Sequence, residues 1–214
     1  MEIIYADNRI AVAVKPQGVL STDEPGGMPE LLREQLKTPC IRTVHRLDAA
    51  TGGVMVFARS AMAASILGRQ VRERRMEKEY LTVLRGDPGP EATLRDLLGR
   101  DSARRMTYVS DHPGKDVREA ALDYVRLAVC GGLSLVRVRL ITGRTHQIRV
   151  QFASRGCPVV GDRKYGGAQP GEVLALWSWQ LKLIHPETGL PMSFSRRPPD
   201  IYPWTQFRLP PDED

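Results

Sequence analysis

Cysteine is scarce in this chain: Cys40, Cys130 and Cys157 are the only three in 214 residues. Their odd number, wide separation and lack of a Cys-x-x-Cys pair exclude a disulfide framework and argue against a structural zinc site. Each is expected to be a small buried or spectator thiol. No apolar run is long enough to predict a membrane-crossing helix. Charged residues interrupt the stretch from Met1 to Gly18 early, so it does not have the layout of a secretory signal. A reducing, cytoplasmic setting is therefore the expectation. Repeats, low-complexity tracts and Gly/Pro/Ser-rich linkers are also missing, so one domain over 1–214 is predicted. Its acidic, proline-rich tail, 210–214, is expected to fray.

Several chemistries lack their signatures. There is no P-loop, no Gly-x-Gly-x-x-Gly opening a helix, and no Gly-x-Ser-x-Gly elbow. His45, His112, His146 and His185 lie in four separate segments, none paired on one helix, and nothing calls for a metal.

What is present is ordinary globular composition, 42% hydrophobic and 26% charged. A chain of this size buries a substantial core without staples, and disorder is not expected. Lysine and arginine total 31 against 25 acids, a formal charge of +6 carried mostly by arginine. Such a field attracts polyanions, and guanidinium forks match phosphate, although the same excess also serves solubility.

Short strands are predicted between Glu2 and Val14, ending at the turn Lys15-Pro16-Gln17-Gly18. A short helix follows over Pro29–Leu36. The apolar run Val54–Ala58 reads as a strand. Ser60 caps a helix to about Arg75, with Ala63, Ile66, Leu67 and Val71 inward and Arg69, Arg72, Arg74 and Arg75 outward. That outer side reads equally as a solvated face or a phosphate-facing edge. Tyr80–Leu84 is predicted as a strand. The Gly-, Pro-, Asp- and Arg-rich stretch Gly86–Lys115 reads as a loop-heavy excursion. Leu122–Val129 and Leu133–Ile141 form a hairpin about Cys130-Gly131-Gly132. Thr145 is expected to cap a helix over His146–Arg155, ended by Gly156. Strands near Ala175–Leu183 and Met192–Ser195 close the chain. Strands and helices interspersed without a strict βαβ repeat predict an α+β fold, a mixed, mostly antiparallel sheet flanked by helices.

Two dense polar segments stand at strand ends, where scaffolds present functional groups. One is Thr43-Val44-His45-Arg46-Leu47-Asp48-Ala49-Ala50-Thr51-Gly52-Gly53; the other is Thr142-Gly143-Arg144-Thr145-His146-Gln147-Ile148-Arg149. By spacing alone, Asp48 reads as a turn residue making a local hydrogen bond.

His45-Arg46-Leu47-Asp48 with Thr51-Gly52-Gly53 resembles the central motif of RluA-type pseudouridine synthases. Val14-Lys15-Pro16-x-Gly18, Lys78-Glu79-Tyr80, and Gly143–Arg149 followed by Gly161-Asp162-x-x-Tyr165-Gly166 resemble other motifs of that family, in the family's order. The resemblance implies an isomerase that converts specific uridines of structured ribosomal or transfer RNA to pseudouridine without cofactor or metal. It implies Asp48 as the essential carboxylate, Arg149 as its ion-pair partner, and Tyr80 stacked on the target uracil. It implies Arg46 entering the space left by a flipped nucleotide, with simple phosphate contact as the alternative, and His45, Arg144 and His146 as RNA-binding or loop-shaping residues. Lys15 is expected to shape a turn rather than catalyse. A monomer is the expectation.

Two departures stand out. Thr51-Gly52-Gly53 replaces the family's usual threonine-serine-glycine and is expected to loosen the turn. Trp177 stands where histidine is common. The S4-like N-terminal extension of many relatives is not expected. A catalytically silent RNA-binding or RNA-chaperone module of the same fold is the alternative, and a hydrolase using Asp48 as nucleophile ranks below it.

Overall fold

The computed structural model describes residues 1–212. In chain order its elements are β1 (Ile3–Ala6), β2 (Ile10–Lys15), α1 (Met28–Leu36), β3 (Arg42–Thr43), β4 (Gly52–Ala58), α2 (Ala61–Arg72), β5 (Glu77–Arg85), β6 (Glu91–Asp101), β7 (Met106–Ser110), β8 (Arg118–Cys130), β9 (Leu133–Leu140), α3 (Gln147–Ala153), β10 (Leu176–Ile184) and β11 (Pro191–Ser195). The chain divides into two compact units. One comprises 1–78, 177–198 and the residues from 210; the other comprises 79–176 and 199–209.

In the first unit the strands run β1-β2-β4-β10, with β3 on β4 and β11 on β10. The β4–β10 pair is parallel and the rest are antiparallel. Register follows side-chain alternation: Ile10 faces Ala58, Val12 faces Val56 and Val14 faces Val54. Ile10, Val12, Val54 and Val56 therefore share one sheet face, and Ala63 and Leu67 of α2 pack onto it. Every residue of β4 is buried, which accounts for the unbroken apolar run. Ser60 caps α2 as predicted, its side chain accepting from Ala63 N. The helix stops at Arg72 rather than Arg75, because Arg74 takes a left-handed φ of 57°. Gln70 also faces inward. Its Nε2 donates to Ile184 O at 2.7 Å, and its Oε1 accepts from Ile184 N at 2.9 Å.

In the second unit β5-β9-β8-β6-β7 form an antiparallel array. The β8–β9 hairpin turns on Gly131 and Gly132, with φ of 56° and 76°, the paired positive values of a tight hairpin turn. The predicted excursion Gly86–Lys115 is mostly β6 and β7. Polar side chains at structural positions hid these strands. Asp96 of β6 binds Gln151 Nε2 of α3 at 2.6 Å and also holds Arg155. Gly99 leaves room for the ring of Tyr108 opposite, 2.4 Å from where a Cβ would lie. One apolar cluster joins Leu98, Ala120 and Val150, with Val109 and Tyr165 packed against it. Of the predicted tail, Asp212 lies 3.7 Å from Arg196 and Arg197, and its last two positions fall outside the described residues. Among the described residues, no helix is long and apolar enough to cross a membrane.

Replacing Gln70 by Ala strips both backbone groups of Ile184 of their side-chain partner in a buried setting. It should lower stability by ~1–3 kcal/mol. Urea unfolding with an unchanged m-value would measure it.

Candidate active site

Asp48 lies on the loop from β3 to β4, and the segment after β2 holds that loop. Ser21 Oγ accepts from Leu47 N at 3.0 Å and donates to Leu47 O at 2.8 Å. Gly18 N donates to Ala49 O at 2.7 Å, and Gln17 Nε2 donates to Ala50 O at 2.9 Å. Thr51 N donates to Asp48 O at 2.9 Å, and Thr51 itself is buried. The turn at Asp48 is closed through its backbone carbonyl.

Beneath this loop is a lysine with no solvent exposure. Lys15 Nζ donates to Pro16 O (2.9 Å), Val19 O (2.6 Å) and Ala49 O (3.0 Å), so all three ammonium hydrogens are used. Burial pulls its pKa from 10.5 down to about 8, and the negative charge of Asp48 partly offsets this. The turn expected of Lys15-Pro16-x-Gly18 is present, and its lysine is the post on which residues 16–19 and 49 converge.

His45 was expected to contact RNA or shape the loop. Its ring is buried, and Nε2 accepts from Val56 N at 3.2 Å. That bond places the neutral ring's hydrogen on Nδ1. Burial, aided by the positive charge of Lys78, holds its pKa well below 6.5. The RNA-contact expectation is corrected accordingly: a buried neutral imidazole bonded to β4 shapes the loop. Arg46 next to it is exposed.

In the second unit, Gln147 rather than Thr145 closes the turn before α3. Gln147 Oε1 accepts from Arg144 N (2.9 Å) and Thr142 Oγ1 (2.8 Å), while Nε2 donates to Ala121 O at 3.0 Å. The Thr145 carbonyl is instead an acceptor for Thr107 Oγ1. His146, with φ of 54°, takes the position before the helix without capping it. Its Nδ1 lies 2.9 Å from Tyr165 Oη, a hydroxyl that also accepts from Thr107 N at 2.9 Å. Arg144 is exposed and donates from Nε to Glu119 O at 2.9 Å.

Arg149 is buried and forms a fork with Asp162. Nε reaches Oδ2 and Nη2 reaches Oδ1, both at 2.7 Å, and Asp162 has no solvent exposure. Asp162 Oδ1 also accepts from Lys164 N and Tyr165 N. The guanidinium lies 5.2 Å from the centre of the Tyr165 ring, a cation–π distance. Asp162 carries this arrangement, a role that its place in the motif did not reveal. The available signal was an Asp-x-x-Tyr segment able to form a local turn while answering a buried arginine. Tyr80 is buried on β5 opposite Val138 of β9.

A family model described as RNA pseudouridylate synthase matches residues 9–154, from β2 through the end of α3. The chain belongs to the RNA pseudouridylate synthase family. This synthase is 35% identical to the dual-specificity RNA pseudouridine synthase RluA of Escherichia coli O157:H7 over 90% of each chain. It is 33% identical to an uncharacterized RNA pseudouridine synthase of Aquifex aeolicus (strain VF5), over 98% of this chain and 74% of the relative. Among solved structures, human RNA Pseudouridylate Synthase Domain Containing 1 superposes with a TM-score of 0.79 at 27% identity, covering 94% of this chain and 84% of that one. Members are isomerases acting on uridine in RNA.

The two departures of this synthase from the usual motif prove to be one packing feature. Gly52 and Trp177 are register partners on β4 and β10. A Cβ at position 52 would lie 2.3 Å from Trp177 Cζ3 and 2.8 Å from Cε3. The ring cannot drift away, since Nε1 donates to Arg196 O at 2.7 Å. The glycine therefore does not loosen the turn; an indole fills its place. Gly53 is fixed separately, by a φ of 119° and by the Ser178 carbonyl oxygen 2.2 Å from its own missing Cβ.

Gly52→Ala should destabilise the synthase by ~1–3 kcal/mol through overpacking. Adding Trp177→Leu should recover much of that loss, so thermal unfolding of the two singles and the double would show strong non-additivity. Independent, additive effects would refute the contact.

Lys15 gives a pH signature. The folded chain releases its proton near pH 8, the unfolded chain near 10.5. Below about 8 the full penalty of burying the charge acts. Between the two values the unfolded chain holds the extra proton, so stability rises with pH. Lys78, also lowered to about 8 by burial, adds to the same window. Lys15→Met should remove about half of the rise attributable to the two lysines. Urea midpoints of both proteins from pH 7 to 10.5 would measure it.

Proposed function

We propose that this synthase isomerises uridine in a structured ribosomal or transfer RNA, with Asp48 as the essential carboxylate and the target nucleotide turned out of its helix. The observation that carries the reading is the hold on the loop of Asp48. Its neighbours at 47, 49 and 50 are fixed by Ser21, Lys15, Gly18 and Gln17, so the carboxylate stands on an immobile backbone. Preorganisation of that kind is what positioned chemistry requires.

In the reaction the bond from ribose to N1 of uracil breaks, the base rotates, and a bond from ribose to carbon 5 forms. The carbon-5 proton leaves and N1 gains one, so no oxidant or reductant is consumed. Asp48 acts in its ionised form, as nucleophile or as base. We assign the balancing positive charge to Arg149. Asp162 holds that guanidinium through Nε and Nη2. A cation beside a desolvated carboxylate keeps it charged. Tyr80 stacks on the uracil. Arg46, exposed next to Asp48 in sequence, enters the gap left by the extruded nucleotide, where a planar guanidinium both stacks and meets phosphate. Extrusion costs a few kcal/mol. Arg144 and His146 contribute to RNA binding. The two units act as one catalytic domain, in a monomer.

Asp48→Asn should abolish pseudouridine formation while leaving the unfolding midpoint near that of the wild type. Chemical mapping of pseudouridine in total RNA, from cells with the wild-type chain, without it, and with Asp48→Asn, identifies substrate and catalyst together. Sites that persist with Asp48→Asn would refute the assignment. For Arg149 the single change to Met is a poor probe. It leaves Asp162 buried and unpaired, at a cost of ~3–5 kcal/mol. The pair Arg149→Met with Asp162→Asn keeps the interior neutral, and its turnover should fall about 100-fold or more. Comparing Tyr80→Phe with Tyr80→Ala separates the ring from the hydroxyl; full activity in both would make Tyr80 structural.

A further inference from the structure

Five exposed cations of the second unit come from three separate stretches of chain: Arg104 and Arg105 in the β6–β7 turn, Arg144 before α3, and Arg163 and Lys164 after Asp162. Three hydrogen bonds gather these stretches. Thr107 Oγ1 donates to Thr145 O at 2.9 Å, Thr107 N donates to Tyr165 Oη at 2.9 Å, and Lys164 Nζ donates to Arg105 O at 2.8 Å. We propose that this gathered surface is a docking site for the phosphate backbone of the substrate RNA beside the target nucleotide; the inference rests on the RNA-isomerase reading above.

Charge balance separates this patch from the ion-paired arginines of the chain, a property it shares with Arg69 and Arg72 of α2. Arg9, Arg33, Arg85, Arg126, Arg139 and Arg155 each sit against a carboxylate at 3.0 Å or less. Among the described residues, no carboxylate lies within 4.0 Å of the side-chain nitrogens of Arg105, Arg144, Arg163 or Lys164. The Asp162 charge is consumed in the interior by Arg149. Asp101 accepts the Arg104 backbone N–H at 2.9 Å and approaches its Nε only to 3.7 Å, leaving that side chain 81% exposed. Arg105 has a φ of 50°, a conformation that glycine adopts more readily. The turn therefore keeps a cation where its backbone favours a residue without one.

Guanidinium forks match phosphate oxygens, and unpaired surface cations bind them with release of counterions. The patch is also joined to the Arg149 site. Tyr165, whose hydroxyl holds Thr107, lies against the Arg149 guanidinium, and Asp162 holds the backbone of Lys164. RNA bound there would load the same framework that positions Arg149.

The test uses the full chain and bulk transfer and ribosomal RNA as probes. Arg104→Ala/Arg105→Ala should weaken RNA binding about 10-fold, raise KM in parallel, and leave kcat at saturating RNA within about 2-fold. The slope of log affinity against log potassium chloride should fall by roughly 1.5, the release expected for two phosphates. Arg105→Gly supplies a readout that misfolding cannot imitate: it should unfold at the same or a higher temperature yet bind RNA more weakly. Arg69→Ala/Arg72→Ala on α2 is the comparison pair. RNA affinity and salt slope unchanged in the turn variants would overturn the proposal. So would a loss no greater than that of the α2 pair, or loss of a protein partner without loss of RNA. Should the wild type bind RNA without forming pseudouridine while the turn variants lose affinity, the isomerase reading fails and the docking surface stands.

Discussion

A single buried ammonium organises the first unit's functional end. Lysine is rarely found without solvent, and a buried cation is tolerated only when its hydrogens are fully used. Lys15 meets that condition with main-chain carbonyls alone, two from its own turn and one from the loop beside Asp48. No side-chain carboxylate takes part in those bonds. The loop is thus tied to the turn by its backbone, and the side chain of residue 48 need not serve as structural cement. Arginine 149 in the second unit repeats the idea with the opposite means. There a buried carboxylate provides the anchor, and two of the three guanidinium nitrogens are committed to it. Each unit therefore contains one charge whose position is set by its own interior.

The strands of the first unit were legible because their burial is uniform. Val54–Ala58 is apolar without interruption since α2 and the flanking strands cover it, and Ser60 announced the helix that follows. The β8–β9 hairpin was equally plain, with two glycines supplying the positive φ values its turn needs. β6 was not legible. Its inward Asp96 answers Gln151 of α3 and Arg155 just past that helix, 55 and 59 positions away, and a local pattern carries no trace of so distant a partner. The cap of α3 was misread for a related reason. Thr145 has the residue type that caps helices, but His146 takes the N-cap position without a side-chain cap, and the amide of Gln147 reaches back to Thr142 and Arg144 to close the preceding turn.

Within the candidate site, motif order pointed to Asp48, Tyr80 and Arg149, while the residues that support them were less visible. Asp162 and Tyr165 were quoted as part of a pattern, yet their roles depend on a contact with Arg149 that spacing does not encode. The burial of His45 was not visible because its partner, the Val56 N–H, lies eleven positions away on β4. Side chains alternate along this loop: His45 and Leu47 point inward, and Arg46 points out.

The indole lodged against Gly52 constrains the order in which this lineage could have changed. A side chain at position 52 is penalised while the ring of Trp177 is in place, whereas a smaller residue at 177 leaves only a gap. Moving away from the present pair therefore requires position 177 to shrink first; reaching it requires position 52 to become glycine first. Both directions of change therefore share a single uncrowded route, glycine at 52 with a small side chain at 177.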